Sequence, residues 1–144
     1  YHNLHNRITV EELAEIASLS PSYLGKLFKK EVGINVSEYI LKKRVETAEN
    51  MLRFTDDSCT EISEYLCFSS ESHMVKAFKK YTGYTVFEYI NRYRSLKAID
   101  FLSDGYSVTE TAELCGFGDV SYFTQSFKKH IGKSPSQYKT EDHI

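Results

Sequence analysis

Pairs of lysines recur along this chain, each directly after a phenylalanine, and paired ammonium groups of this kind can hold phosphates. The pairs are Lys29-Lys30, Lys79-Lys80 and Lys128-Lys129. In every copy a glycine follows five residues after the phenylalanine, and a tyrosine follows six residues after the glycine. The copies lie 50 and then 49 residues apart. A fixed period of this length indicates one supersecondary unit used three times.

Helix start and stop signals surround the first lysine pair. Thr9 and Glu12 have capping-box spacing, which predicts the start of a short amphipathic helix. Ser20 before Pro21 predicts the start of a second helix, because serine is a good N-cap and proline fits the first turn. Gly33 is expected to end that helix in a left-handed conformation. The sequence therefore predicts two short helices joined by a tight turn.

The second of these helices is predicted to have one apolar and one basic face. Leu24, Leu27 and Phe28 recur at helical spacing and are expected to be buried. Residues 20–30 contain three lysines and no acidic residue, whereas the preceding helix carries three glutamates. Charge is thus segregated between the two helices, which favours an anionic partner for the second one.

Longer helices are predicted between the repeated units, over residues 36–53 and 85–102, with no third long helix after residue 138. No segment alternates apolar and polar residues over strand length. The predicted fold class is all-α, with tandem helix-turn-helix units joined by long connecting helices. The predicted divisions are a leader at 1–7, unit 1 with its connecting helix at 8–54, unit 2 with its connecting helix at 55–103, and unit 3 at 104–144.

The totals exclude several classes of function. The 144 residues contain no run of eighteen apolar residues, so we expect no membrane partner. The three cysteines form no C-x-x-C pair, which indicates reduced thiols in the cytoplasm rather than a disulfide framework or a metal site. The five histidines are scattered, and no phosphate-cradling glycine loop occurs. We therefore expect neither an enzyme nor a cofactor.

The predicted pair of short helices has the plan of a DNA-reading helix-turn-helix, in which the second helix enters the major groove. The net charge of −2 and the pI near 6.2 do not show the basic footprint typical of DNA-binding proteins. Contacts with DNA would have to come from local patches. The alternative is a helical protein-interaction module, in which one or more units bind polymerase or another protomer.

Several phrases in the chain resemble the DNA-binding region of AraC/XylS-type bacterial transcription regulators. They are Leu-Ser-Pro-Ser-Tyr-Leu at 19–24, Cys-Gly-Phe at 115–117 and Gly-Lys-Ser-Pro-Ser-Gln-Tyr at 132–138. The long helix with Tyr39, Arg44, Ala48 and Leu52 belongs to the same resemblance. The resemblance implies double-stranded DNA as partner, with recognition helices in successive major grooves. It also implies an upstream sensor or receiver domain. RNA polymerase is a further expected partner, as in the protein-interaction alternative above.

Base contacts are implied by the same resemblance, at exposed positions of the second helix in each unit. Carried over by position, the base-contact candidates are Ser22, Lys26, Ser72, Lys76, Ser121, Thr124 and Gln125. Glutamine suits adenine, lysine suits guanine, and a threonine methyl suits the thymine methyl. The phosphate candidates are Lys29, Lys30, Lys79, Lys80, Lys128 and Lys129. Each of these lysines could equally be a solvated residue that complements the dipole at a helix C-terminus.

The chain departs from the family pattern because it contains three units where the resemblance implies two. Units 1 and 2 make one plausible pair, and units 2 and 3 make another. Cys67 occupies a turn position where the family usually has glycine, which matters only if that position needs positive φ. The first residue is tyrosine rather than methionine, so we expect the chain to be part of a longer protein.

Overall fold

The computed structural model describes residues 3–141, apart from the side chain of residue 141, and every regular element in that range is an α-helix. The predicted all-α fold of tandem helix-turn-helix units is confirmed. Residues 1–2 of the predicted leader lie outside the described range. The helices are α1 (Val10–Ile16), α2 (Pro21–Val32), α3 (Val36–Phe54), α4 (Cys59–Tyr65), α5 (Glu71–Thr82), α6 (Val86–Ser103), α7 (Val108–Leu114), α8 (Val120–Ile131) and α9 (Pro135–Glu141).

A capping box starts the first helix of every helix-turn-helix unit. The three pairs are Thr9–Glu12, Ser58–Glu61 and Ser107–Glu110. The first confirms the sequence prediction, and the other two repeat the same arrangement in the next two units. Hydrogen bonds from the backbone and side chain of Ser58 lower the pKa of Glu61, and bonds from the side chain and backbone of Ser107 lower that of Glu110.

A glycine ends the second helix of every unit, as predicted for Gly33. Gly33, Gly83 and Gly132 have φ values of 89°, 79° and 93° and donate their N–H groups to the carbonyl of the lysine four residues earlier. Only glycine adopts this left-handed conformation without steric cost. The repeated glycines therefore fix where each lysine-bearing helix stops.

The chain divides into two compact units, which are larger than the helix-turn-helix units 1 to 3. The first unit is Tyr1–Thr85 with α1 to α5, and the second unit is Val86–Ile144 with α6 to α9. In the first unit α3 packs against α2, α4 and α5. Val45 and Ala48 of α3 are buried there, as are Ile62 of α4 and Met74 and Phe78 of α5. The long helix α3 thus covers the core of the helix-turn-helix that follows it.

The first helix-turn-helix, α1 and α2, is packed less completely than predicted. The expectation that Leu24, Leu27 and Phe28 are buried is wrong, because all three are only half-buried and α2 contains no buried residue. Between residue 3 and the start of α1, the structure contains no long helix. The apolar face of α2 therefore lacks the cover that α3 gives to α5.

In the second unit α6 packs against α7, α8 and α9. Its core is aromatic: the ring centroids of Phe117 and Phe123 lie 5.1 Å apart, those of Phe123 and Phe127 5.6 Å, and those of Phe127 and Tyr138 5.9 Å. Ala98 and Leu102 of α6 complete this core. These contacts hold α8 by one face and leave the opposite face to solvent.

An arginine on each long helix binds the turn of the unit that follows. The side chain of Arg44 donates to the carbonyl of Cys67 at 3.2 Å, and also to those of Leu4 and Asn6. At the matching position, Arg94 donates to the carbonyl of Gly116 at 2.8 Å. Burial lowers the pKa of Arg44. Both arginines therefore have a structural role, because each bonds a long helix to the turn that follows it.

The second residue of each helix-turn-helix turn has positive φ. The values are 55° at Ser18, 54° at Cys67 and 76° at Gly116. The question raised by the absence of glycine at Cys67 is thereby answered, because this turn does require the left-handed region. A residue with a side chain is strained there by about 1–2 kcal/mol. A thiol hydrogen bond from Cys67 to the carbonyl of His5, at 3.1 Å, accompanies the strained backbone.

Ser18→Gly is therefore expected to stabilise the first unit by about 0.5–1 kcal/mol, the relief of strain less the entropy cost of glycine. Gly116→Ala is expected to destabilise the second unit by at least ~1 kcal/mol. A Cβ at position 116 would also lie 3.3 Å from Cζ of Arg94. Urea denaturation of both variants measures the two effects. Destabilisation by Ser18→Gly would contradict this account of the turn.

Candidate nucleic-acid interface

The lysine-bearing helices α2, α5 and α8, which we call the recognition helices, are built alike. Each has twelve residues and an N-cap, provided by Ser20, Ser70 and Asp119. The turn before α2 is one residue shorter than the turns before α5 and α8. The positions of the lysine pairs are exposed in all three helices, whereas the inward-facing positions are buried in α5 and α8 and only half-buried in α2.

The predicted base-contact residues lie on the exposed faces of the recognition helices, with one exception. Exposed positions are Ser22, Lys26, Ser72, Lys76, Ser121 and Gln125. Thr124 is half-buried, and its hydroxyl donates to the carbonyl of Val120 at 2.9 Å. The hydroxyl hydrogen of Thr124 is therefore used inside its own helix, which leaves its methyl group and its lone pairs for any contact with a base.

The six predicted phosphate ligands are all exposed, in the last turns of the recognition helices. Lys80 differs from the others because its Nζ lies 3.8 Å from a carboxylate oxygen of Glu38 and 5.1 Å from the ring centroid of Tyr81. An exposed ion pair of this length is worth at most about 1 kcal/mol. Lys80 could therefore exchange this partner for a phosphate at small cost.

The carboxylate of Glu71 begins α5, beside the candidate contacts Ser72 and Lys76. One oxygen accepts a hydrogen bond of 2.6 Å from the hydroxyl of Thr60 on α4. Glu71 also raises the pKa of Cys59, although burial of that thiol contributes more. A negative charge at this position opposes a phosphate at the N-terminus of α5, and neither α2 nor α8 has glutamate in its first turn.

A groove in the second unit, between the first turns of α6 and the recognition helix α8, was not found from the sequence. It has a volume of about 270 Å³ and is lined by Glu88, Asn91, Tyr122, Gln125, Lys129 and His130, among others. The signal that could have revealed it is Asn91, a polar residue at the position that Leu41 occupies in the previous repeat. Asn91 is only 5% exposed, and its amide donates to the hydroxyl of Tyr122 at 2.7 Å.

Charges of both signs act on His130 at this groove. Burial lowers the pKa of His130, the charges of Lys129 and Arg92 lower it further, and Glu88 acts in the opposite direction.

Among residues 3–141, no cluster of three or more His, Cys, Asp or Glu side chains could hold a metal ion. Over the same residues, no helix has the length and apolar character needed to cross a membrane.

A helix-turn-helix domain model matches residues 13–86 and again residues 77–141, so the two matches together cover most of the chain. An uncharacterised response regulatory protein of Staphylococcus epidermidis is 40% identical over 137 residues, covering 95% of this chain and 35% of the relative. Among solved structures, the C-terminal domain of the response regulator yesN of Fusobacterium nucleatum is similar, with a TM-score of 0.55 and 35% identity. That match covers 60% of this chain and 84% of the solved one.

An AraC-type DNA-binding protein of Chromobacterium violaceum has a TM-score of 0.58 and 26% identity, over 61% of this chain and 79% of its own. The chain belongs to the AraC-type helix-turn-helix family. Proteins of this family are DNA-binding transcription regulators and not enzymes. The chain spans between 10% and 36% of the length of the curated relatives it matches.

The two matches to the family model overlap at residues 77–86 and contain different helix-turn-helix units. The first runs from residue 13 inside α1 to residue 86 at the start of α6, and so contains most of the first helix-turn-helix, α3 and the second helix-turn-helix. The second begins inside α5 and contains α6 and the third helix-turn-helix. The second match lacks α4 and the first half of α5.

Proposed function

We propose that this AraC-type chain binds double-stranded DNA sequence-specifically, with its recognition helices in successive major grooves. The observation that carries the proposal is the threefold repetition of one surface. In every unit a twelve-residue, N-capped helix has small polar residues at its start and a lysine pair in its last turn. Packing explains the phenylalanine beside each pair but gives no reason for repeating the lysines.

Within this proposal the seven base-contact candidates read the groove. Lys26 and Lys76 suit guanine, Gln125 suits adenine, and the methyl of Thr124 suits thymine. The serines at 22, 72 and 121 contact either base edges or phosphates. No arginine is present at these positions, so most of the affinity comes from the six lysines and from the phosphate backbone, which carries no sequence information.

The full-length protein is proposed to be a cytoplasmic bacterial regulator with a sensor or receiver domain upstream of this chain. Support comes from similar proteins that are response regulators, among them the relative from Staphylococcus epidermidis. The domain solved from the Fusobacterium protein is likewise the C-terminal part of a two-component response regulator. RNA polymerase is proposed as a further partner, as in the protein-interaction alternative.

The second candidate function is a protein-interaction module, and one repeated feature favours it. The last residue of the first helix in every unit is apolar and exposed: Ile16 by 82%, Tyr65 by 55% and Leu114 by 53%. Scattered exposed apolar residues are ordinary, but the same position in three repeats is a shared surface property. Together with the net charge of −2, this feature suits a protein partner for at least one unit.

A duplex-binding titration at two salt concentrations tests the proposal against its alternative. Fluorescence anisotropy of labelled genomic duplexes is expected to show binding that weakens steeply between about 50 mM and 200 mM salt, because bound lysines release counterions. Binding of duplex should be preserved when Ile16, Tyr65 and Leu114 are each replaced by serine. Absence of binding even at ~50 mM salt would favour the interaction module.

A further inference from the structure

The groove between α6 and α8 is lined by several hydrogen-bond donors and by the carboxylate of Glu88. Its volume of about 270 Å³ is several times the ~30 Å³ that one water molecule occupies. Asn91 and Ser126 are buried in it, whereas Gln125 and Lys129 are exposed. The lining thus combines two buried polar side chains with the exposed amide of Gln125 and the exposed ammonium group of Lys129.

Tyr122 is oriented to act as a donor in this groove. Its hydroxyl oxygen accepts the hydrogen bond from Asn91, so its own hydrogen remains for an acceptor outside that pair. Phe87 packs at a centroid distance of 6.2 Å from the Tyr122 ring, and Phe117 at 6.0 Å. Because the ring is held from two sides and the hydroxyl from a third, the position of this donor is fixed before any ligand arrives.

The corresponding place in the first unit has different chemistry. Leu41 replaces Asn91, His73 replaces Tyr122, and Tyr81 replaces His130. Lys80, which matches Lys129, is paired there with Glu38. The donors around the groove are therefore not a requirement of the shared fold, because the same helices pack in the first unit without them.

We propose that this groove seats a backbone phosphate of the bound duplex, with Tyr122, Lys129 and protonated His130 as its ligands. The inference rests on the proposed function, since Gln125 and Lys129 belong both to the groove and to the expected DNA-binding face. It adds Tyr122 and His130 to the interface and assigns Asn91 as a positioning residue. DNA binding by unit 3 is then coupled to partial uptake of a proton by His130.

The charges that act on His130 determine the direction of this coupling. Lys129 on the same helix and Arg92 on α6 disfavour the imidazolium, and Glu88 on α6 favours it. On the other helices packed against α8, Glu110 of α7 is bonded to Ser107, and Lys139 of α9 to the carbonyls of Gly105 and Tyr106. A phosphate beside His130 would favour the imidazolium and raise its pKa. Affinity should therefore increase as the pH falls.

The test compares duplex affinity at about pH 8 and about pH 6, a range centred on histidine titration. For the unaltered chain we expect roughly five-fold tighter binding at the lower pH, the result of a pKa increase approaching one unit on binding. His130→Gln should remove most of this difference, and Tyr122→Phe should weaken binding at both pH values. His5→Gln is the matched control, because His5 is exposed and lies outside the recognition helices. It should leave the pH dependence unchanged.

NMR titration of the His130 ring proton, assigned by its loss in His130→Gln, identifies the source of the phosphate. Its pKa should rise when duplex is added and should change much less with inorganic phosphate at the same concentration of phosphate groups. An equal pH dependence in His130→Gln would overturn the groove assignment while leaving the proposed function intact. A rise with inorganic phosphate but not with duplex would overturn it as well. Failure of the unaltered chain to bind any duplex would remove both proposals.

Discussion

Replacing Lys128 and Lys129 together by glutamine is expected to weaken duplex binding by roughly ten- to a hundredfold at about 0.1 M salt. The same change should reduce the slope of log affinity against log salt by about 2, since each phosphate contact contributes nearly one unit. Both side chains are exposed in the last turn of α8, so their removal should leave the fold unchanged. Anisotropy over a series of salt concentrations gives affinity and slope together.

The equivalent double replacements in units 1 and 2 show which of the three units contact DNA. Lys29 with Lys30, and Lys79 with Lys80, occupy the same positions on α2 and α5. If a unit contacts DNA, replacing its lysine pair should reduce the slope of log affinity against log salt. Replacing the pair of an idle unit should leave this slope unchanged. We expect the smallest effect for Lys79 with Lys80, because Glu71 begins the same helix and Lys80 is already paired with Glu38. Unchanged slopes in all three variants would contradict the assignment of these lysines.

Phe127→Ala is expected to cost about 3–5 kcal/mol of the free energy of unfolding, which is the usual cost of removing a buried phenylalanine. The side chain is fully buried between Phe123 and Tyr138. Because small domains are stable by only about 5–15 kcal/mol, the second unit should be close to unfolding at room temperature. Urea denaturation followed by circular dichroism measures the loss.

Phe28→Ala is the matched comparison. Phe28 has the same position in unit 1 that Phe127 has in unit 3, but it is only half-buried. Its removal should cost about 1–2 kcal/mol, in proportion to the smaller apolar area withdrawn from water. Equal costs at the two positions would contradict the difference in packing between the first and third helix-turn-helix units.

Local signals in the sequence were sufficient to predict the fold. The capping pairs Thr9–Glu12 and Ser107–Glu110, and the C-terminal Gly33, act within one helical turn, so their consequences follow from spacing alone. The predicted helix 85–102 begins and ends within one residue of α6. Periodicity also identified the less exposed face of α2, although it overestimated the burial of that face.

What the sequence did not reveal depends on contacts between distant residues. Burial of Leu24 and Leu27 was expected from their spacing, but the degree of burial depends on which helix covers α2, and no local pattern gives that information. The groove beside α8 required Asn91 and Tyr122 to meet across 31 positions of the chain. A comparison of the repeats with one another would have singled out Asn91, since Leu41 shows that an apolar residue is sufficient for packing.

A DNase footprint on genomic fragments tests most directly whether the recognition helices occupy neighbouring grooves of one duplex. Neighbouring major grooves on one face lie about 34 Å or ten base pairs apart. We predict protected blocks at that spacing, two if one unit is idle and three if all units bind. The double lysine variants should each remove the block of their own unit. A single short block, or protection without this period, would contradict the proposed mode of binding.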